Sequence, residues 1–151
     1  MAMTQKGPVL LIGNPQSSSI QTLYQLLTTD GVTTARADDY DSVCHQLNQL
    51  RFDLMIFDAS PKTGSELMML AKRLKKFKSA ISQDYCAKFF IAEKKLSSFF
   101  EQYIGNSIDG VIYKPMNEKT LQSIFEGAEA IQHIKLLLSK KSDIDHADKL
   151  H

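Results

Sequence analysis

The sequence predicts an α/β protein with a doubly wound, five-stranded parallel sheet and an extended C-terminal helix. Three observations predict it. Short apolar runs alternate with amphipathic segments from end to end, the order that right-handed crossovers turn into a parallel sheet covered on both faces. The runs are apolar throughout, as strands buried on both sides require. The chain has 151 residues, enough for one domain with a real core and too few for two ordinary ones.

Pro8 to Ile12 reads as the first strand. One of Ser17, Ser18 and Ser19 caps the helix that follows, where Ile20, Leu23, Tyr24 and Leu27 recur at helical spacing. Gly31 ends that helix, and Val32 to Ala35 is the second strand. Asp39 or Asp41 starts a helix with the stripe Val43, Leu47 and Leu50. Asp53 to Asp58 is the clearest strand, four apolar residues between two acids. The loop Ala59 to Gly64 leads into a third helix from about Ser65. The stretch from Lys72 to Lys88 exceeds what a short crossover needs, so a loop is expected around Ser79 to Tyr85. Phe89 to Ala92 is the fourth strand. A fourth helix then carries Leu96, Phe99, Phe100, Tyr103 and Ile104. Gly110 to Tyr113 is the fifth strand, closed by Lys114-Pro115, and the last helix runs from near Asn117 to about Ser139. Residues 1–139 thus form a single domain, and 140–151, KKSDIDHADKLH, a polar tail or linker.

A net charge of +1 gives no global reason to expect nucleic acid or an anionic membrane as partner. The longest apolar runs are strand-length, and the N-terminal MAMTQKGP lacks the apolar stretch of a signal peptide, which favours the cytoplasm. Cys44 and Cys86 have no metal-ligand spacing and read as reduced thiols. His133, His146 and His151 form no metal constellation.

In such a sheet the functional crevice lies at the carboxyl ends of the strands. That edge gathers Gly13, Asn14, Asp58, Ala92, Glu93 and Lys114. The loop GNPQSSS either turns the chain and caps a helix, or presents N–H groups to an anion. Pro15 removes one donor from the second arrangement, and neither GxxxxGK[ST] nor GxGxxG occurs. Asp58 pairs with Lys114 as a remnant joining two loops, and Glu93 is placed to add negative charge if it leans inward.

A lone aspartate ending strand three, with Lys-Pro ending strand five, resembles the receiver domain of two-component response regulators over about residues 7–130. The resemblance implies the strand order 2-1-3-4-5, shared with flavodoxin-like proteins. In that family the aspartate accepts a phosphoryl group from a histidine kinase in a phosphorelay. Two acids after strand one hold magnesium, a Ser or Thr ends strand four, and a lysine followed by a proline, often cis, ends strand five. Asp58 matches the phosphoacceptor, and Lys114 and Pro115 match the lysine and proline. The acidic pair falls at Gly13 and Asn14, so both carboxylates are missing, and magnesium is not expected to bind well. The Ser/Thr position is Ala92. The switch aromatic falls at Val111, with Tyr113 two residues later on the same face. This pattern is that of a degenerate or pseudo-receiver: a non-enzymatic signal-transduction module without cofactor, acting through protein contacts. The alternatives are a flavodoxin-like protein binding FMN with the loop from Gly13 to Ser19, or an atypical receiver still phosphorylated at Asp58.

Function then moves to surfaces. Phe99 and Phe100 cannot both point inward, so one of them, with Tyr103, is expected near the surface of helix four. Leu121, Ile124, Phe125 and Ala128 suffice to dock the last helix. Its apolar pattern continues through Ile131, Ile134, Leu137 and Leu138, which favours a homodimer through that helix, or continuation into a fused or separate output domain. A basic run, Lys72, Arg73, Lys75, Lys76 and Lys78, with Lys88, Lys94 and Lys95 nearby, reads as a solvated face or a dock for an acidic partner or RNA.

Overall fold

Apolar runs too short for a helix become strands that bury every residue. Val9–Ile12 (β1) and Leu54–Asp58 (β3) are buried throughout, as is Ala87–Ala92 (β4) apart from Lys88. Thr34–Ala37 (β2) and Gly110–Tyr113 (β5) are the more exposed edges. All pairings are parallel and the order is β2-β1-β3-β4-β5. The computed structural model describes residues 7–149, with side chains described as far as residue 138. Expectations resting on residues 1–6 and on His151 lie outside the described residues. Among the described residues no helix is long and apolar enough to cross a membrane.

Alternate residues of each strand feed two cores. Leu10, Ile12, Met55, Phe57 and Phe90 pack with helices α2 (Tyr40–Leu47), α3 (Gly64–Leu74) and α4 (Ser97–Glu101). Val9, Leu11, Ile56, Phe89 and Ile91 pack with α1 (Ser18–Thr29) and α5 (Glu118–Lys149). Asp39 caps α2, its side chain accepting from the Ser42 N–H.

Several boundaries differ from the sequence expectations; the fourth strand, for one, begins two residues early, at Ala87. The second strand begins two residues late, because Val32 closes α1: its N–H donates to Leu27 O while Gly31, at φ 76°, donates to Thr28 O. That 6→1 and 5→2 pair is the Schellman motif, with the buried Val32 as its apolar contact. The third helix ends at Leu74, so Lys75, Lys76 and Lys78 lie beyond it, ahead of the loop expected around Ser79 to Tyr85. The fourth helix stops at Glu101, preceded by a 3₁₀ turn at Lys94–Leu96. The chain then reverses at Gly105 (φ 86°), with the N–H groups of Asn106, Ser107 and Ile108 all directed at Tyr103 O. Tyr103 and Ile104 therefore follow the helix. Finally, α5 continues to Lys149, past the end expected near Ser139, and most of the segment read as tail or linker is helical.

Candidate functional site

The ends of β1, β3, β4 and β5 converge on one buried carboxylate. Asp58 closes β3 and is only 5% exposed. The Lys114 ammonium lies 3.1 Å from its Oδ1, at an approach too oblique for a hydrogen bond. The Ser17 hydroxyl donates to Oδ2 at 2.5 Å. Dehydrating a carboxylate costs several kcal/mol unless charge and hydrogen bonds replace the water. Here one cation and one hydroxyl replace it. Lys114 is held by the sheet, its N–H donating to Ala92 O, and its bond to Pro115 is cis.

Ser17 was not singled out by the sequence from the serines beside it. It occupies the N-cap position of α1, yet its side chain makes no cap bond; a bond to a charged, buried acceptor is the stronger use of the hydroxyl. A local turn puts it there. The Asn14 side chain accepts from the Gln16 N–H and its carbonyl from the Ser17 N–H. Asn14 is thus spent on an Asx turn at the surface and does not face Asp58 as a ligand. Gly13 has φ 156°, and a Cβ there would lie 3.2 Å from Asp58 Cβ. The glycine lets the chain pass close over the carboxylate.

The other positions divide. Ala92 is fully buried and offers only its backbone. Glu93 does not lean inward: it pairs at 3.1 Å with Lys95, both side chains well exposed, because a solvated ion pair avoids the cost of burying a second carboxylate beside Asp58. Val111 packs in the α2–α4 core, whereas the Tyr113 hydroxyl donates to Glu101 of α4. Partial burial, then that bond, pushes the Tyr113 phenol up to about 12. Of the aromatic pair, Phe100 is fully buried against Phe90, which removes it from the surface set. Phe99 and Tyr103 are half-buried edge-to-face partners. Ile131 also packs on its own core, while Ile134, Leu137 and Leu138 are exposed.

Against known proteins, no family model matches the sequence and no curated protein is similar to it. Solved structures are similar in shape. A response regulator receiver domain protein from Clostridium thermocellum superposes with a TM-score of 0.64 at 21% identity, over 87% of this chain and 98% of that one. A two-component response regulator from Clostridium difficile gives 0.62 at 16%, over 85% and 97%. An adenylate cyclase from Rhodopirellula baltica gives 0.68 at 12%, over 93% and 98%. The fold is that of a response-regulator receiver domain.

Within that receiver fold, the donors do not fit a magnesium site. Magnesium takes hard oxygen ligands, usually including one or two carboxylates. Among the described residues no group of three His, Cys, Asp or Glu side chains could hold a metal, and the Ser17 hydroxyl and the Lys114 ammonium already stand against the two oxygens of Asp58. Nor is the serine loop arranged as a phosphate cradle. Its first hydroxyl points at a carboxylate, whose charge opposes an incoming anion.

Proposed function

We propose that this chain is a cytoplasmic, receiver-like signalling module that acts through protein contacts and runs no phosphoryl-transfer cycle of its own. The observation that carries the reading is the state of Asp58: one oxygen is bonded to Ser17 and the other paired with Lys114, and among the described residues no group of three His, Cys, Asp or Glu side chains could hold a metal. Phosphoryl transfer in this fold relies on positioning and on a metal that neutralises the developing charge. An aspartate without that metal, one oxygen hydrogen-bonded and the other facing an ammonium, meets an anionic donor at an electrostatic disadvantage. Tyr113 supports the same reading. Its hydroxyl is tied to Glu101 on α4, and no strand-four hydroxyl at Ala92 exists to couple its position to a phosphate.

The test is a ¹H–¹⁵N spectrum of the full chain with acetyl phosphate, and separately beryllofluoride, each with magnesium. The expected result is no saturable shift at Gly13, Ser17, Asp58 or Lys114. Saturable shifts there would overturn the proposal in favour of an atypical but working phospho-switch. With the pocket fixed, output passes to surfaces, and the end of α5 is the surface we assign to a second copy of the chain.

A further inference from the structure

The basic run separates into two groups. Lys72 and Arg73, on α3, lie over aromatic rings: the Lys72 ammonium is 4.6 Å from the Tyr103 ring centre and the Arg73 guanidinium 3.7 Å from that of Tyr40. These are packing roles. Lys75 and Lys78 instead line a cleft of about 660 Å³ at the amino-terminal edge of the sheet, where Lys88 of β4 and Lys135 of α5 join them. Asp58 is at the other end of β3.

Lys88 is the unusual member. It occupies an inward position on an interior strand, paired in register with Met55 and two residues before the buried Phe90. Burial pushes its ammonium below the usual lysine range. Asp109 offsets this only in part: its charge favours the ammonium, but the carboxylate bonds the Lys88 N–H and the Lys135 ammonium instead. Among the described residues the ammonium groups of Lys88 and Lys78 have no hydrogen bond or ion pair, whereas Lys135 is also bonded to Cys86 O and Lys75 to Asn106. A partly dehydrated cation without a directly bonded counter-ion costs stability that an apolar side chain there would not. The wall around it is tied down. Gln83 bonds the Phe52 N–H and the carbonyls of Leu47 and Leu50, and Asn48 accepts from Ala80. Leu74 and Phe77 supply an apolar side.

We infer that this cleft binds a small phosphate-bearing organic molecule of nucleotide size, its phosphate on Lys88 and Lys78 and its ring against Phe77 and Leu74. The volume suits such a ligand, and lysine serves phosphate as a point charge. Titrating the full chain with ADP, and separately with inorganic pyrophosphate at matched ionic strength, is expected to give saturable amide shifts at Lys75, Gln83 and Lys88. ADP is expected to bind the tighter. Lys88→Met is expected to weaken ADP by roughly 10- to 100-fold, as loss of a charged hydrogen bond does, while melting no lower than wild type without ligand. Lys78→Met, at an exposed position, is expected to weaken ADP as well without touching the core. Saturation by neither probe, or ADP binding unchanged in both variants, would overturn the inference. These readouts lie away from Asp58 and from the end of α5, so their failure leaves the signalling proposal standing.

Discussion

A hydroxyl 2.5 Å from a buried carboxylate is a charge-assisted bond, and Ser17→Ala leaves Asp58 Oδ2 without it. The expected cost is about 1.5–3 kcal/mol in urea unfolding. Lys114→Met should cost more, about 3–5 kcal/mol, because it leaves the buried charge uncompensated. If Lys114→Met proves the milder of the two, the ion pair is not what holds the pocket. Tyr113 sets a limit at alkaline pH. Its phenol titrates at about 12 in the fold against 10.0 ordinarily, so the folded state favours the protonated form. That contribution is present below pH 10 and is lost as pH rises through about 12. Tyr113→Phe is expected to flatten this part of the stability–pH curve; an unchanged curve would refute the role given to the Glu101 bond. Asp58 and Lys114 were legible in the sequence because a strand end fixes where each side chain emerges. Ser17 was not. Three adjacent serines are equal as caps, and only the Asn14 turn and the β1–β3 pairing bring one of them over β3.

Between elements, α3 meets α4 at close range. A Cβ on Gly64, the first residue of α3, would lie 2.9 Å from Phe100 Cζ. That ring cannot swing clear, being packed against Phe90 at 5.2 Å and Phe99 at 5.0 Å between centres. Gly64→Ala is therefore expected to destabilise by about 1–3 kcal/mol through overpacking, and Phe100→Leu in the same chain should recover part of the loss. Additive losses in the double variant would mean the two residues do not meet as described. The helix-favouring effect of alanine works the other way, so a net loss isolates the clash. Gly64 reads in sequence as loop punctuation, and its partner is 36 residues away along the chain. The same limit explains the strand and helix boundaries. Val32 is apolar enough for a strand but is claimed by the closing turn of α1, and Tyr103 and Ile104 keep helical spacing after the helix has ended. Periodicity registers what is buried; it is blind to which backbone bonds do the burying.

Over the whole molecule, α5 is the element that the domain does not fully use. Gln132 donates to Asp53 O and Lys135 to Cys86 O and Asp109, bonds that tie α5 to the residues just before β3, β4 and β5. From there the helix continues to Lys149, roughly 20 Å at 1.5 Å per residue. Ile134, Leu137 and Leu138, at helical spacing, are 50%, 52% and 61% exposed. Ile131, one turn earlier, is already docked, so the stripe runs off the domain in line with its own packing face. Leaving three large apolar side chains in water forgoes about 1.5–3 kcal/mol for each one that burial would recover, and a two-fold pairing of α5 with its copy recovers them symmetrically. Light scattering of the full chain is expected to show a dimer at tens of micromolar. Leu137→Glu, which places a charge in the seam without altering the sheet, should shift it to monomer with the melting of the sheet core unchanged. Wild type that stays monomeric at that concentration would reject the pairing and return α5 to the service of a different protein.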